Sequence, residues 1–72
     1  MGVLSHRQKQ ILDFIANFIQ GKGYAPAVRD VAKGCSISSS SIAQYHLNVL
    51  EREGYIHRDR GISRSISLVQ RN

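Results

Sequence analysis

Ser36-Ile37-Ser38-Ser39-Ser40-Ser41-Ile42-Ala43-Gln44-Tyr45-His46-Leu47 is the stretch on which the fold turns. By composition its serine run reads as a flexible linker. The residues beyond the serines argue otherwise. Ala43, Leu47 and Leu50 recur at steps of four and three, the spacing of one helical face, with Ile42, His46 and Val49 beside them. Glu51-Arg52-Glu53 is a solvated end, and Gly54 is a helix-stopping glycine. A helix that closes near Glu53 must begin inside the serines. Serine suits that place, because its short hydroxyl satisfies an orphan backbone N–H at a helix start. The run is therefore the entry to a helix.

Nearer the N-terminus, Ser5 and Gln8 have the spacing of a capping box. Ile11, Leu12, Ile15, Phe18 and Ile19 form an apolar stripe behind it, widened by Phe14. This predicts a first helix from about Ser5 to Gln20, stopped by Gly21 and Gly23. Tyr24-Ala25-Pro26-Ala27 is extended, since the residue before proline avoids the helical region. Val28 to Gly34 reads as a short helix with Val28, Val31 and Ala32 inward. Its cap is poor, because Ala27 has no side-chain oxygen, and Asp30 compensates through the helix dipole. Beyond Gly54, Tyr55-Ile56-His57 fits a strand. Ser65-Ile66-Ser67-Leu68 alternates with the period of a half-buried strand. Gly61 fits the hairpin tip, in a connection too long for a two-residue turn.

Seventy-two residues make one small domain, residues 1–72, with no internal repeat. The hydrophobic fraction of 42% is too high for disorder, and no stretch approaches the length of a membrane span. The formal net charge of +5 favours an anionic partner, nucleic acid first and an acidic membrane surface second. Helix 1 lacks a strongly basic face opposite its apolar stripe, which argues against the membrane. The single cysteine, Cys35, precludes an internal disulfide and fits a reducing cytoplasm. His6, His46 and His57 show no metal-ligand spacing. No catalytic constellation and no phosphate-cradling glycine loop occur, so neither an enzyme, a metal nor a cofactor is expected.

Helix, short helix, turn, longer helix and β-hairpin is the order of a winged helix-turn-helix: α+β and mainly α, three helices with a C-terminal β-hairpin wing. The residues go further. "LSHRQKQILDFI", "GYAPAVRDVA", "HLNVLEREGYI" and "SRSISL" resemble the N-terminal DNA-binding domain of the LexA repressor family. The resemblance runs from Leu4 to Val69 in register. It implies sequence-specific binding of double-stranded DNA, as a transcriptional repressor or the DNA-binding part of one, in a cytoplasmic and, if bacterial, nucleoid-associated setting. Family members usually carry Thr or Ser in place of Ala27, a leucine-like residue in place of Cys35 and glycine in place of Ser36. They continue into a self-cleaving protease domain that also dimerises. The chain here ends at Asn72, which implies either an excised domain or a free-standing relative, and a homodimer or a missing dimerisation domain as the source of a second half-site contact.

In a helix-turn-helix the N-terminal part of the second helix faces base edges in the major groove. With Ala43, Leu47 and Leu50 inward, Ser41, Gln44, Tyr45 and Asn48 form one polar stripe on the opposite face. Glutamine can pair with adenine through N6 and N7, and serine can donate to or accept from several bases. The resemblance places base contacts at Ser39, Ser41, Ile42, Gln44 and Tyr45. It also suggests Ser39 as the N-cap, with Ser40 at the first helical position. Ile42 can either touch a thymine methyl or pack against helix 2. Ser38 and Ser40 are small enough to let phosphates approach the helix start. Arg58, Arg60 and Arg64 cluster in the wing, where planar guanidinium groups clamp phosphate, and Ser63 joins them by resemblance. Arg7, Arg29 and Lys33 are further phosphate candidates. The competing readings are a winged helix used for protein contact, which needs an exposed apolar patch, and an RNA binder using the same basic face.

Overall fold

The computed structural model describes residues 4–59, 61–62 and 64–69, and it has the expected order. Helix α1 spans His6–Lys22, α2 Val28–Gly34 and α3 Ser40–Arg52; strands β1, Ile56–His57, and β2, Ser67–Leu68, follow. The strands pair antiparallel, Ile56 opposite Leu68 and His57 opposite Ser67.

Both ends of α1 follow from its sequence. Ser5 Oγ accepts the Gln8 N–H at 3.2 Å, and Gln8 Oε1 accepts the Ser5 N–H at 3.3 Å. The helix runs two residues past the expected end, through Gly21 to Lys22, and stops at Gly23, whose φ is 80°. One glycine in the last turn costs a helix only about 1 kcal/mol. The left-handed residue is what ends it.

At the start of α2 the missing cap is replaced from the other side. The Asp30 carboxylate accepts the Ala27 N–H at 2.9 Å, which is the reciprocal half of a capping box. Asp30 thus acts through a direct hydrogen bond as well as through the dipole. At the end of α2, a serine occupies the left-handed position, where the resemblance implied a glycine: Ser36 has a φ of 57°. The Ser36 N–H donates to Lys33 O at 3.4 Å and the Ile37 N–H to Ala32 O at 2.7 Å. These are the two bonds of a Schellman motif.

Ile11 and Ile15 of α1, Val31 and Ala32 of α2, and Ala43, Leu47 and Leu50 of α3 form the core, closed below by Cys35, Ile37, Ile56 and Ile66. Val28, expected inward, is only partly buried at the edge of that cluster. Gly34 leaves room for the Phe14 ring of α1 to lie against the end of α2. A Cβ built there would lie 2.1 Å from the Phe14 ring.

The second strand is shorter than its alternation suggests. Ser65 and Ile66 lie outside β2, although Ile66 is buried. Arg64, with φ 58°, turns the chain just before them. The Ser65 hydroxyl then ties itself to the Asp59 backbone, accepting its N–H at 3.0 Å and donating to its carbonyl at 3.2 Å. A side-chain link has taken the place of ladder bonds. Leu68, opposite Ile56, stays 37% exposed at the open edge.

Candidate nucleic-acid interface

Helix α3 carries the stripe that its sequence spacing predicts. Ser39 is the N-cap, its Oγ accepting the Ser41 N–H at 3.2 Å. Leu47, Leu50 and Ala43 are fully buried beneath it. That fixes the opposite face outward, and Ser41, Gln44, Tyr45 and Asn48 are all exposed there. Ile42 is 49% exposed and Tyr45 61% exposed, so Ile42 belongs to the outer surface and not to the packing against α2. Among the described residues, none makes a hydrogen bond to the side chain of Ser41, Gln44 or Tyr45. Ser38 and Ser40 are exposed on either side of the cap, at the free N–H groups of the helix start.

The arginines divide. Arg29 is exposed in the first turn of α2, across a groove from Ser40 and Gln44. Lys33 is exposed in the last turn of the same helix. The other described candidates are engaged inside the molecule. Arg7 donates to Cys35 O at 2.6 Å, crossing from α1 to the end of α2. Arg58 donates through Nε and Nη2 to Glu51 Oε1 at 3.1 and 3.0 Å, and through Nη2 to Asn48 Oδ1. Its side chain is only 18% exposed. Arg64 pairs with Asp30 at 2.9 Å, reaches Ala25 O at 3.4 Å and lies over the Tyr24 ring, 5.2 Å from its centre. Arg60 and Ser63 lie outside the described residues.

Two carboxylates that sequence spacing did not assign to the site therefore organise it. The Ala27 N–H bond, helped by the nearby Arg64 and Arg29 charges, holds Asp30 below the usual carboxylate range against the opposing effect of burial. The Arg58 hydrogen bonds do the same for Glu51. Asp30 and Arg64 are far apart in sequence, so nothing in the spacing could pair them. Glu51 and Arg58 flank Gly54, and an acid and a base on either side of a helix stop were the one available signal.

The remaining candidate chemistry is spent on packing. Burial pushes the Cys35 thiol up, which makes it an inert core group. His46 is half-buried with its Nδ1 3.5 Å from Gln8 Nε2. Among the described residues, no three His, Cys, Asp or Glu side chains gather as a metal site, and no helix is long and apolar enough to cross a membrane.

A short helix, a tight turn and a second helix with a bare polar face, followed by a hairpin, define a winged helix-turn-helix. The family profile described as LexA DNA binding domain matches residues 1–65, and the chain belongs to that family. It is 49% identical over 69 residues to the LexA repressor of Herpetosiphon aurantiacus, covering 96% of this chain and 32% of that protein. It is 48% identical over 71 residues to the LexA repressor of Thermosipho africanus, covering 99% of this chain and 35% of that one. The LexA repressor of Halalkalibacterium halodurans is 42% identical over 69 residues, 96% of this chain and 33% of its own length. The chain thus spans about a third of the length of these relatives.

Proposed function

We infer that this domain binds duplex DNA sequence-specifically as the DNA-binding part of a transcriptional repressor, with α3 in the major groove of one half-site. The observation that carries the reading is the bare outer face of α3: exposed polar side chains on a helix whose inner face is locked into the core. Ser41, Gln44 and Tyr45 read base edges, and Ile42 meets a thymine methyl. Ser39 holds the helix start in place. Ser38, Ser40, Arg29 and Lys33 take the phosphates. Arg7, Arg58 and Arg64 act mainly as braces for the elements that present these groups. Useful affinity comes from a second domain on an adjacent half-site, in a homodimer or through a further domain.

A band-shift series over rising salt tests this. Specific duplex is expected to bind at low salt and to lose affinity steeply as salt rises, with a slope set by the number of phosphates neutralised. Gln44→Ala should relax base preference at one position, whereas Arg29→Ala should weaken all duplexes alike. Absence of duplex binding at low salt would refute the reading.

A further inference from the structure

The two amides of the reading face differ in what they can offer. Among the described residues, the Gln44 side chain has no partner, so it can present its oxygen and its nitrogen together. That is the pattern adenine needs, an acceptor for N6–H and a donor to N7. Asn48 lies one turn further along α3. Its Oδ1 accepts from Arg58 Nη2. Arginine has donors only, so the amide oxygen must face the guanidinium, and the orientation follows from chemistry. Arg58 cannot easily turn away, because Glu51 Oε1 accepts from its Nε and Nη2 and Glu51 Oε2 accepts its backbone N–H at 3.4 Å. Glu51 and Asn48 are three residues apart on α3, so they share a face and hold the one guanidinium between them. With the guanidinium occupying one side of the amide oxygen, the Asn48 NH₂ group, with its two donors, is what the side chain offers most freely to solvent.

We propose that Arg58 is a positioning residue that fixes Asn48 as a donor-only reader, selecting guanine. The inference rests on the reading of α3 as the major-groove helix. Guanine alone places two acceptors, N7 and O6, side by side on its major-groove edge. Adenine would set its N6 donor against an Asn48 donor, and cytosine offers a donor alone. Gln44 and Asn48 are about 6 Å apart along the helix axis, and base pairs rise by about 3.4 Å. The preferred guanine therefore falls within about two base pairs of the position read by Gln44.

Selection of bound duplexes from a random pool, repeated with variants, tests it. Wild type is expected to select guanine at one position, and Asn48→Ala to lose that preference while keeping the rest of the motif. Asn48→Asp keeps the shape but presents acceptors, so the preference should move to cytosine by about tenfold, with weaker binding overall. Arg58→Met frees the amide to rotate and should move the preference towards adenine, while Arg58→Lys, still a donor, retains guanine. Circular dichroism checks that Arg58→Met is folded; if it is not, the surface change Asn48→Asp decides alone. A wild type that selects no motif refutes the major-groove reading itself. A wild type that selects a motif unaltered by Asn48→Asp, or Asn48→Ala weakening every duplex equally, overturns the role given to Asn48 and Arg58.

Discussion

The turns after α2 and α3 make the same hydrogen bonds with different residues. After α3, Gly54 takes the left-handed position at φ 85°, and its N–H and that of Tyr55 donate to Glu51 O and Leu50 O at 3.1 and 2.9 Å. After α2, Ser36 takes that position at φ 57° with the equivalent pair of bonds. A residue with a Cβ held there costs roughly 1 kcal/mol that glycine avoids. The serine turn has support that opposes this cost. Ile37 is buried immediately after it, and Arg7 donates to the carbonyl of Cys35 immediately before it. A local rule can be broken where tertiary contacts hold the backbone on both sides.

The largest loss is expected next to the serine turn. Gly34→Ala drives a methyl into the Phe14 ring, and thermal or denaturant unfolding should show a loss of about 2 kcal/mol, typical of overpacking. Gly54→Ala places a Cβ at the other left-handed position, which the turn after α3 fills with glycine at φ 85°. A loss of about 1 kcal/mol is expected in the same measurement. Ser36→Gly should go the other way, gaining about 0.5 kcal/mol, because relief of backbone strain exceeds the added freedom of the unfolded chain. If Ser36→Gly destabilises, the serine hydroxyl or its rigidity matters more than its backbone angle.

The smallest effect is the pH response of the segment beyond Gly54. Glu51 and Asp30 both have lowered pKa values in the folded state. Their contribution to stability is present above their ordinary pKa values of 4.5 and 3.8 and is lost as pH falls through the depressed folded values. Glu51→Gln should therefore flatten part of the decline in stability below about pH 4.5 without altering the turn at Gly54. An unchanged acid profile in that variant would mean that the Glu51–Arg58 pair contributes little net energy, its Coulombic gain being offset by the cost of desolvating it.

The family resemblance picked Ser39 out of the serine run as the cap; the three helices, the capping box at Ser5 and the outward stripe of Ser41, Gln44 and Tyr45 were all legible in the sequence itself. Each depends on short-range chemistry: a hydroxyl two or three residues from the N–H it satisfies, or a helical period that sets which side faces the core. Which of the described arginines are engaged within the molecule came from the tertiary structure. Arg58 and Arg64 read as a phosphate clamp because their clustering is visible along the chain, whereas Asp30 reaches Arg64 from another element and Glu51 reaches Arg58 across a turn. The same holds for Ile42, whose two readings were separated only by its exposure, and for Ser65, whose alternating pattern gave way to a bond with Asp59. Ion pairs between distant residues depend on where the backbone brings them, and periodicity carries no record of that. The left-handed Ser36 belongs to both sides: the family resemblance marked it as a departure from glycine, and the packing of Ile37 and the reach of Arg7 hold the turn in the tertiary structure.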